Sequence, residues 1–306
     1  MSIAIPIDSS ESFAVRADSA YQEDHAVRHS LVSVRPDYRR STLWVTIRPE
    51  APLHMSLGLI DELRLTSKVI KGLSDSPFRF RVLSSQLPGT FSLGGDLAFF
   101  VRCIEHQDRG ALTRYAYSAT TAIYENIRCS GYNGLTTISL VEGEAQGGGF
   151  EAALSSHVLV AERGTHFGFP EGLFGLFPGM GGAPLLEARC GKASAGEILG
   201  SARRWSADEL YEKGVVDVLA ERGKGNEVVR SIISDPSWST NDHRKARLQC
   251  INEEDLFETV TLWVERAMEL PTKQLKAMKF ILKAQRVARE RRENASDNVG
   301  VVRIPS

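Results

Sequence analysis

The sequence predicts an α/β fold. Three observations carry this: strand and helix alternate in the same order three times between Ser41 and Ala161, the second and third time through a glycine-rich turn, and the chain turns helical after Ser206. In the first unit, Leu43-Trp-Val-Thr-Ile-Arg48 reads as a strand. Leu57–Leu73, with apolar residues at Leu59/Ile60, Leu63 and Val69/Ile70, reads as an amphipathic helix. The second unit runs from a strand at Phe78–Ser84 through Ser92-Leu-Gly-Gly-Asp96 into a helix carrying Phe99, Phe100, Val101 and Ile104. The third runs from Leu135–Val141 through Gly147-Gly-Gly149 into a short helix ending near His157, followed by a strand at Val158–Ala161. Strands that recur in this order are joined by right-handed crossovers. Beyond Ser206, Val215–Leu219 is a strand-like interruption. Leu256, Val260, Trp263/Val264 and Ala267, then Leu275, Met278 and Ile281/Leu282, mark two helices separated by Pro271.

With 306 residues the chain has room for one large domain with appendages or two small ones. Residues 1–38 mix Ser, Asp, Glu and His without a period and are expected to be an extension. Residues 39–225 are the expected core, 226–293 C-terminal helices and 294–306 a tail. Lys and Arg, 37 together, nearly cancel 38 Asp and Glu, so no basic excess calls for nucleic acid. Cys103, Cys129, Cys190 and Cys250 are far apart with no C-x-x-C pair, which reads as reduced thiols of a cytoplasmic protein. The N-terminal stretch lacks the basic and apolar regions of a secretory signal, and no apolar run is long enough for a membrane span.

The densest chemical signal is Val141-Glu-Gly-Glu-Ala-Gln-Gly-Gly-Gly-Phe-Glu151, an apolar strand emptying into three glycines that open a helix. Glycines let backbone N–H groups approach a ligand, and a helix start leaves its first amides unpaired, a setting suited to an oxygen that becomes negative during reaction. An isolated glycine triplet is more often only a tight turn. Two features favour the chemical reading here. Leu93-Gly94-Gly95-Asp96 occupies the same strand-to-helix junction one unit earlier and can supply a second amide. Glu151 and Glu171, the latter in Phe167-Gly-Phe-Pro-Glu-Gly-Leu-Phe174, form a carboxylate pair, and the apolar neighbours of Glu171 should raise its pKa toward neutrality. Other templates fail: there is no P-loop, no G-x-G-x-x-G after a strand, and no G-x-S-x-G around Ser92. No metal or cofactor is implied. His25 and His29 lie in the unpatterned extension, and Arg286, Arg289, Arg291 and Arg292 read as a solvated helix end.

These residues resemble the crotonase, or enoyl-CoA hydratase/isomerase, superfamily over roughly Ser41 to Ala220. The resemblance implies a spiral of strand-strand-helix units, C-terminal helices that pack between subunits, and trimers or dimers of trimers. It maps the family's acyl oxyanion hole to the amides of Gly95 and Gly148, and its two catalytic glutamates to Glu151 and Glu171. Hydratases usually carry Asp where this chain has His157, and commonly a basic residue for the CoA phosphates near Ala98; neither is present. With Gly-Gly-Gly-Phe-Glu-Ala-Ala-Leu-Ser-Ser-His157, Phe-Gly-Leu-Phe-Pro-Gly-Met-Gly and the helix Leu270–Arg292, the chain looks most like the diffusible signal factor synthases. Those enzymes dehydrate a 3-hydroxyacyl-[acyl carrier protein] to the cis-2-enoyl thioester, then hydrolyse it to a cis-2-unsaturated fatty acid used in quorum sensing, and they associate with a sensor histidine kinase. The loss of the basic residue near Ala98 fits acyl-ACP better than acyl-CoA. Within that resemblance Glu171 is expected as the base at C2 and Glu151 as the acid at C3. Phe150, Phe169, Leu173, Phe174 and Leu176 are candidates for an acyl tunnel, with core packing the competing reading for each. The rival readings are a conventional enoyl-CoA hydratase or isomerase and a non-catalytic binding protein. The presence of both glutamates argues against the second.

Overall fold

A computed structural model describes residues 30–72, 78–129, 134–238 and 242–299. The strands in chain order are β1 Val32–Asp37, β2 Thr42–Ile47, β3 Phe80–Ser85, β4 Thr90–Ser92, β5 Thr136–Val141, β6 Glu144–Gln146, β7 Val158–Glu162, β8 His166–Gly168, β9 Trp205–Ser206 and β10 Val218–Ala220. The helices are α1 Leu57–Gly72, α2 Leu97–Glu105, α3 Arg109–Ile127, α4 Gly148–Leu154, α5 Gly182–Ser201, α6 Ala207–Glu212, α7 Gly225–Ser234, α8 Asp242–Gln249, α9 Glu253–Met268 and α10 Thr272–Val299. A 3-10 turn, Pro170–Phe174, follows β8.

Two sheets share the strands. The larger has the order β1-β2-β3-β5-β7-β10 and the smaller β4-β6-β8-β9. The pairs β2/β3, β3/β5, β5/β7 and β7/β10 are parallel, as are β4/β6 and β6/β8, while β1/β2 and β8/β9 are antiparallel. Each of the units starting at β3, β5 and β7 therefore gives one strand to the large sheet, turns, gives one to the small sheet, and leaves in a helix or helical turn. Repetition of this unit is the spiral that the family resemblance implies; the short strands β4, β6 and β8 are not read from the residues themselves.

Side-chain alternation along the large sheet explains its two faces. Phe80, Val82, Ile138, Leu140, Val158 and Val160 point to one side, where α7 covers them with Val229, Ile232 and Ile233. Residues between them, such as Leu83 and Val141, point to the main core beneath α1, α3 and α4. Two elements bear on the expected divisions. Strand β1 lies within the span read as an extension and pairs along its whole length with β2, from Val32↔Ile47 to Asp37↔Thr42. Helix α7, placed by the sequence among the C-terminal helices, closes the outer face of the large sheet. The last two helices match their expected spacing: Leu256, Val260, Trp263, Val264, Ala267 and Met278 are buried.

A buried ion cluster ties α5 and α8 to the sheet. Arg189 on α5 donates to the carbonyls of Leu154, Ser156 and Val215 and to Asp217 at 3.0 Å. Asp217 also accepts from Arg247 on α8 at 2.8 Å and from the Leu159 amide at 2.8 Å. Burial acts to raise the Asp217 pKa, but Arg189 and Arg247 hold it below the ordinary carboxylate value. Removing this anion strands a guanidinium away from water. Asp217→Ala is expected to lower unfolding free energy by about 3–5 kcal/mol in urea titration.

Candidate active site

The parallel pairing of the small sheet sets the site. Thr90 pairs with Glu144 and Ser92 with Ala145, then Ala145 with Phe167 and Gln146 with Gly168. The segments that leave β4, β6 and β8 are therefore neighbours: Gly94-Gly95, Gly147-Gly148 and Pro170-Glu171. Gly94 has φ +97°, and a Cβ there would lie 2.9 Å from the Gln146 carbonyl oxygen. Gly147, at φ +47°, has its missing side chain replaced by the Glu171 carboxyl, whose Oε1 fills the place a Cβ would take. Neither turn tolerates another residue without displacing the strand or the glutamate.

Both predicted amides are unengaged. Among the described residues, the N–H groups of Gly95 and Gly148 have no hydrogen-bond acceptor, whereas those of three neighbours do: Gly94 N–H donates to Ser92 Oγ, Asp96 N–H to Tyr115 Oη, and Gly147 N–H to the Gly168 carbonyl. The two free amides lie close together, since a Cβ built on Gly148 would be 3.7 Å from the Gly95 nitrogen and 3.9 Å from Glu151 Oε2. Helix α4 begins at Gly148, so its dipole adds positive potential at this point.

Glu151 is fully buried one turn into α4. Its Oε1 accepts from the amides of Met180 and Gly182, both at 2.8 Å, while Oε2 has no partner. Burial raises its pKa to about 7 against those two amide bonds, which pull it down. The Glu171 Oε2 is likewise buried and unpartnered. Burial, and then the Glu151 charge, raise the Glu171 pKa to about 8. The pair thus titrates around neutral pH as one coupled system. Pinning by Met180 and Gly182 went unrecognised in the sequence, although Gly-Met-Gly-Gly after an apolar run was a visible glycine turn.

Gly95, Gly148 and Met180 line one end of a cavity. Its walls include Ile60, Leu63, Leu83, Ile123 and Ala152. None of the five residues expected to form an acyl tunnel lines it. Phe150 stacks on Phe169, with ring centroids 4.9 Å apart, and both belong to the main core with Phe174 and Leu176. Leu173 is 59% exposed on the opposite side of the 3-10 turn from the buried Phe174. The lining of this cavity comes largely from α1, β3 and α3, far away in sequence. His157, where hydratases carry Asp, is a core residue: its Nδ1 accepts from the Thr137 amide at 3.0 Å, and burial lowers its pKa to about 3, so it is neutral.

Two free amides, two buried carboxyls with raised pKa values and a mostly apolar cavity come together here, an arrangement chemically suited to polarising a carbonyl and moving protons beside it. The sequence profile described as enoyl-CoA hydratase/isomerase matches residues 44–234, and the chain belongs to that family. It is similar to the probable mitochondrial enoyl-CoA hydratase 2 of Arabidopsis thaliana, 29% identical over half of this chain and 48% of that protein. It is also similar to the mitochondrial methylglutaconyl-CoA hydratase of Rattus norvegicus, 29% identical over 56% of this chain and 52% of that one. The chain thus spans about half the length of these curated relatives. Among solved structures, human mitochondrial delta3-delta2-enoyl-CoA isomerase matches with TM-score 0.70 and 18% identity over 85% of this chain and 99% of its own. The Bacillus halodurans enoyl-CoA hydratase matches with TM-score 0.68 and 18% identity over 82% and 99%. These two support the fold. Among the described residues no helix is long and apolar enough to cross a membrane, and no group of three His, Cys, Asp or Glu is placed to hold a metal.

The raised carboxyl pKa values have a stability consequence. Between the unfolded value of 4.5 and the folded values of about 7 and about 8, the native state holds protons the unfolded chain has lost, so stability falls as pH rises through that window. Glu151→Gln and Glu171→Gln should each stabilise the protein at pH 8 by on the order of 1–3 kcal/mol, and the gain should vanish near pH 4, as read by denaturant titration at both pH values.

Proposed function

We propose that the protein dehydrates a 3-hydroxyacyl thioester on acyl carrier protein to the cis-2-enoyl thioester and then hydrolyses it, releasing a cis-2-unsaturated fatty acid signal. The observation that carries the reading is the convergence of the acceptor-free amides of Gly95 and Gly148 with the unpartnered Oε2 atoms of Glu151 and Glu171. The thioester oxygen accepts from both amides. As the C2–H bond breaks, its electron pair moves toward that oxygen and the proton goes to a glutamate. The C3–O bond then breaks, the second glutamate protonates the departing hydroxyl, and water leaves. We assign the C2 proton to Glu171 and the departing C3 hydroxyl to Glu151; Glu171→Gln that retains full dehydration would reverse the division. In hydrolysis, water that has given a proton to a glutamate adds to C1, the oxyanion occupies the same two amides, and the carrier thiolate departs and is protonated.

The carrier protein as donor, the cis geometry and the free-acid product rest on the resemblance to the signal synthases and on His157 and Ala98 standing where hydratases have other residues. The names of the relatives favour a second reading, hydration or isomerisation of an enoyl-CoA. Incubation with 3-hydroxydodecanoyl-acyl carrier protein, with products separated against cis and trans standards by mass spectrometry, discriminates them. Free cis-2-enoic acid, lost by about 100-fold or more in Glu151→Gln and Glu171→Gln, supports the proposal. A trans-enoyl thioester without free acid, formed faster from CoA substrates, contradicts it.

A further inference from the structure

The cavity has two unlike ends. Near Gly95 and Gly148 it is bounded by the amides and carboxyls already described. At the other end Arg81, Arg64, Asn126 and Ser155 enter its wall. Arg81 is the second residue of β3, four residues before the carboxyl end of that strand, or roughly 13 Å down the sheet at the usual rise. It points, like Leu83, to the face under α1 and α3. Only 5% of Arg81 is exposed.

Its surroundings leave the guanidinium short of acceptors and of negative charge. Nη1 donates to Asn126 Oδ1 at 2.9 Å, and Nη2 to Thr66 Oγ1 at 2.9 Å and more weakly to the Leu63 carbonyl. All three acceptors are neutral. The Nε–H is buried and has no partner. The nearest carboxylate, Glu125, is bridged instead to Arg64, at 3.3 Å through both Nε and Nη2. Two guanidiniums against one carboxylate leave one positive charge uncompensated at the inner end of an otherwise apolar cavity. Burial drives the Arg81 pKa down to about 10, which still leaves it charged at neutral pH. Retaining such a charge without an anion is costly, and a saturated alkyl end laid against it would add to the desolvation. An arriving carboxylate would offset both.

We propose that the inner end of the cavity binds a carboxylate at the far terminus of the acyl chain, with Arg81 as the specificity-determining residue, so that the preferred substrates are thioesters of dicarboxylic acids. The assignment narrows the acyl group of the proposed reaction and rests on that reading only in taking the Gly95/Gly148 end as the thioester end. Asn126, which donates to Ser155 and Ser156 while accepting from Arg81, holds the guanidinium in place. The chain in between would lie along Leu63, Leu83 and Ile123.

The test uses binding, so it does not depend on turnover. Non-hydrolysable S-alkyl pantetheine thioethers of graded length, each made with a methyl and with a carboxylate terminus, are titrated against the full-length protein by calorimetry. The same titration is repeated with Arg81→Met and Arg81→Lys. The proposal predicts that at one chain length the carboxylate probe binds about tenfold or more tightly than its methyl counterpart. Arg81→Met should invert that ratio and Arg81→Lys should keep its direction. Each ratio is taken within one preparation, so partial unfolding of a variant lowers both arms alike. Tighter binding of the methyl probe by the wild-type protein at every length would overturn the proposal, as would an unchanged ratio in Arg81→Met. Failure of the dehydration assay with both 3-hydroxydodecanoyl-acyl carrier protein and its ω-carboxylated counterpart, alongside a normal carboxylate preference, would instead count against the reaction alone.

Discussion

Everything at the site depends on the parallel pairing of β4, β6 and β8. These strands are only three residues long, but their register makes the segments that follow them neighbours although they are separated by more than fifty and by about twenty positions in the chain. Two of those segments contribute a free amide each and the third a carboxyl. No side chain could hold these groups so closely: Gly94 and Gly147 accept positive φ, and at Gly147 the missing Cβ is what admits the glutamate. Three of the small sheet's strands, β4, β6 and β8, each follow directly on a strand of the large sheet, so the stability of the whole spiral supports the placement of a few atoms.

Burial sets the chemistry as much as geometry does. A carboxyl in water would be ionised at neutral pH. Here Glu151 and Glu171 are moved into the range where one can accept a proton while the other gives one. Two main-chain amides from the Gly179–Gly182 turn stop the rise at Glu151, and the charge of Glu151 carries it further at Glu171. The same logic makes other buried ionisable groups stand out. Asp217 is answered by three arginines, Arg189, Arg244 and Arg247, and His157 is kept neutral by burial against Thr137. Arg81 alone has no direct anionic contact while lining the cavity.

Much of this was legible in the sequence because it rests on short local patterns. The strand–glycine–helix junctions, the spacing of the two glutamates and the period of α9 all appear over windows of about twenty residues or fewer. What was not legible came from long-range packing or from blurred periods. Helix α3 buries Thr120 and Asn126 alongside Leu112, Tyr115 and Ile123, so its inward face carries polar residues and offers no clean apolar stripe. Helix α5 contains a non-helical Gly191 and three more glycines. Strand β1 has a mixed pattern because one of its faces is half-exposed. The cavity lining was hidden for a related reason: the aromatic residues beside the glutamates pack on one another, and the lining comes largely from α1, β3 and α3. In Phe-Arg-Phe-Arg81-Val the alternation reads as an arginine face turned to water, and only the covering helices reveal that it faces inward.

The central claim is that the amides of Gly95 and Gly148 hold a thioester oxygen between two proton-exchanging carboxyls. Isotope-edited infrared spectroscopy of a ¹³C-carbonyl acyl thioester bound to the Glu151→Gln/Glu171→Gln protein, which cannot consume it, reads this directly. Two strong donors weaken the C=O bond, so the band should move to lower frequency than in water, and Gly94→Ala, which disturbs the first turn, should reverse much of that shift. A bound carbonyl whose frequency equals or exceeds the value in water would contradict the account, because the oxygen would then not be in contact with the two amides.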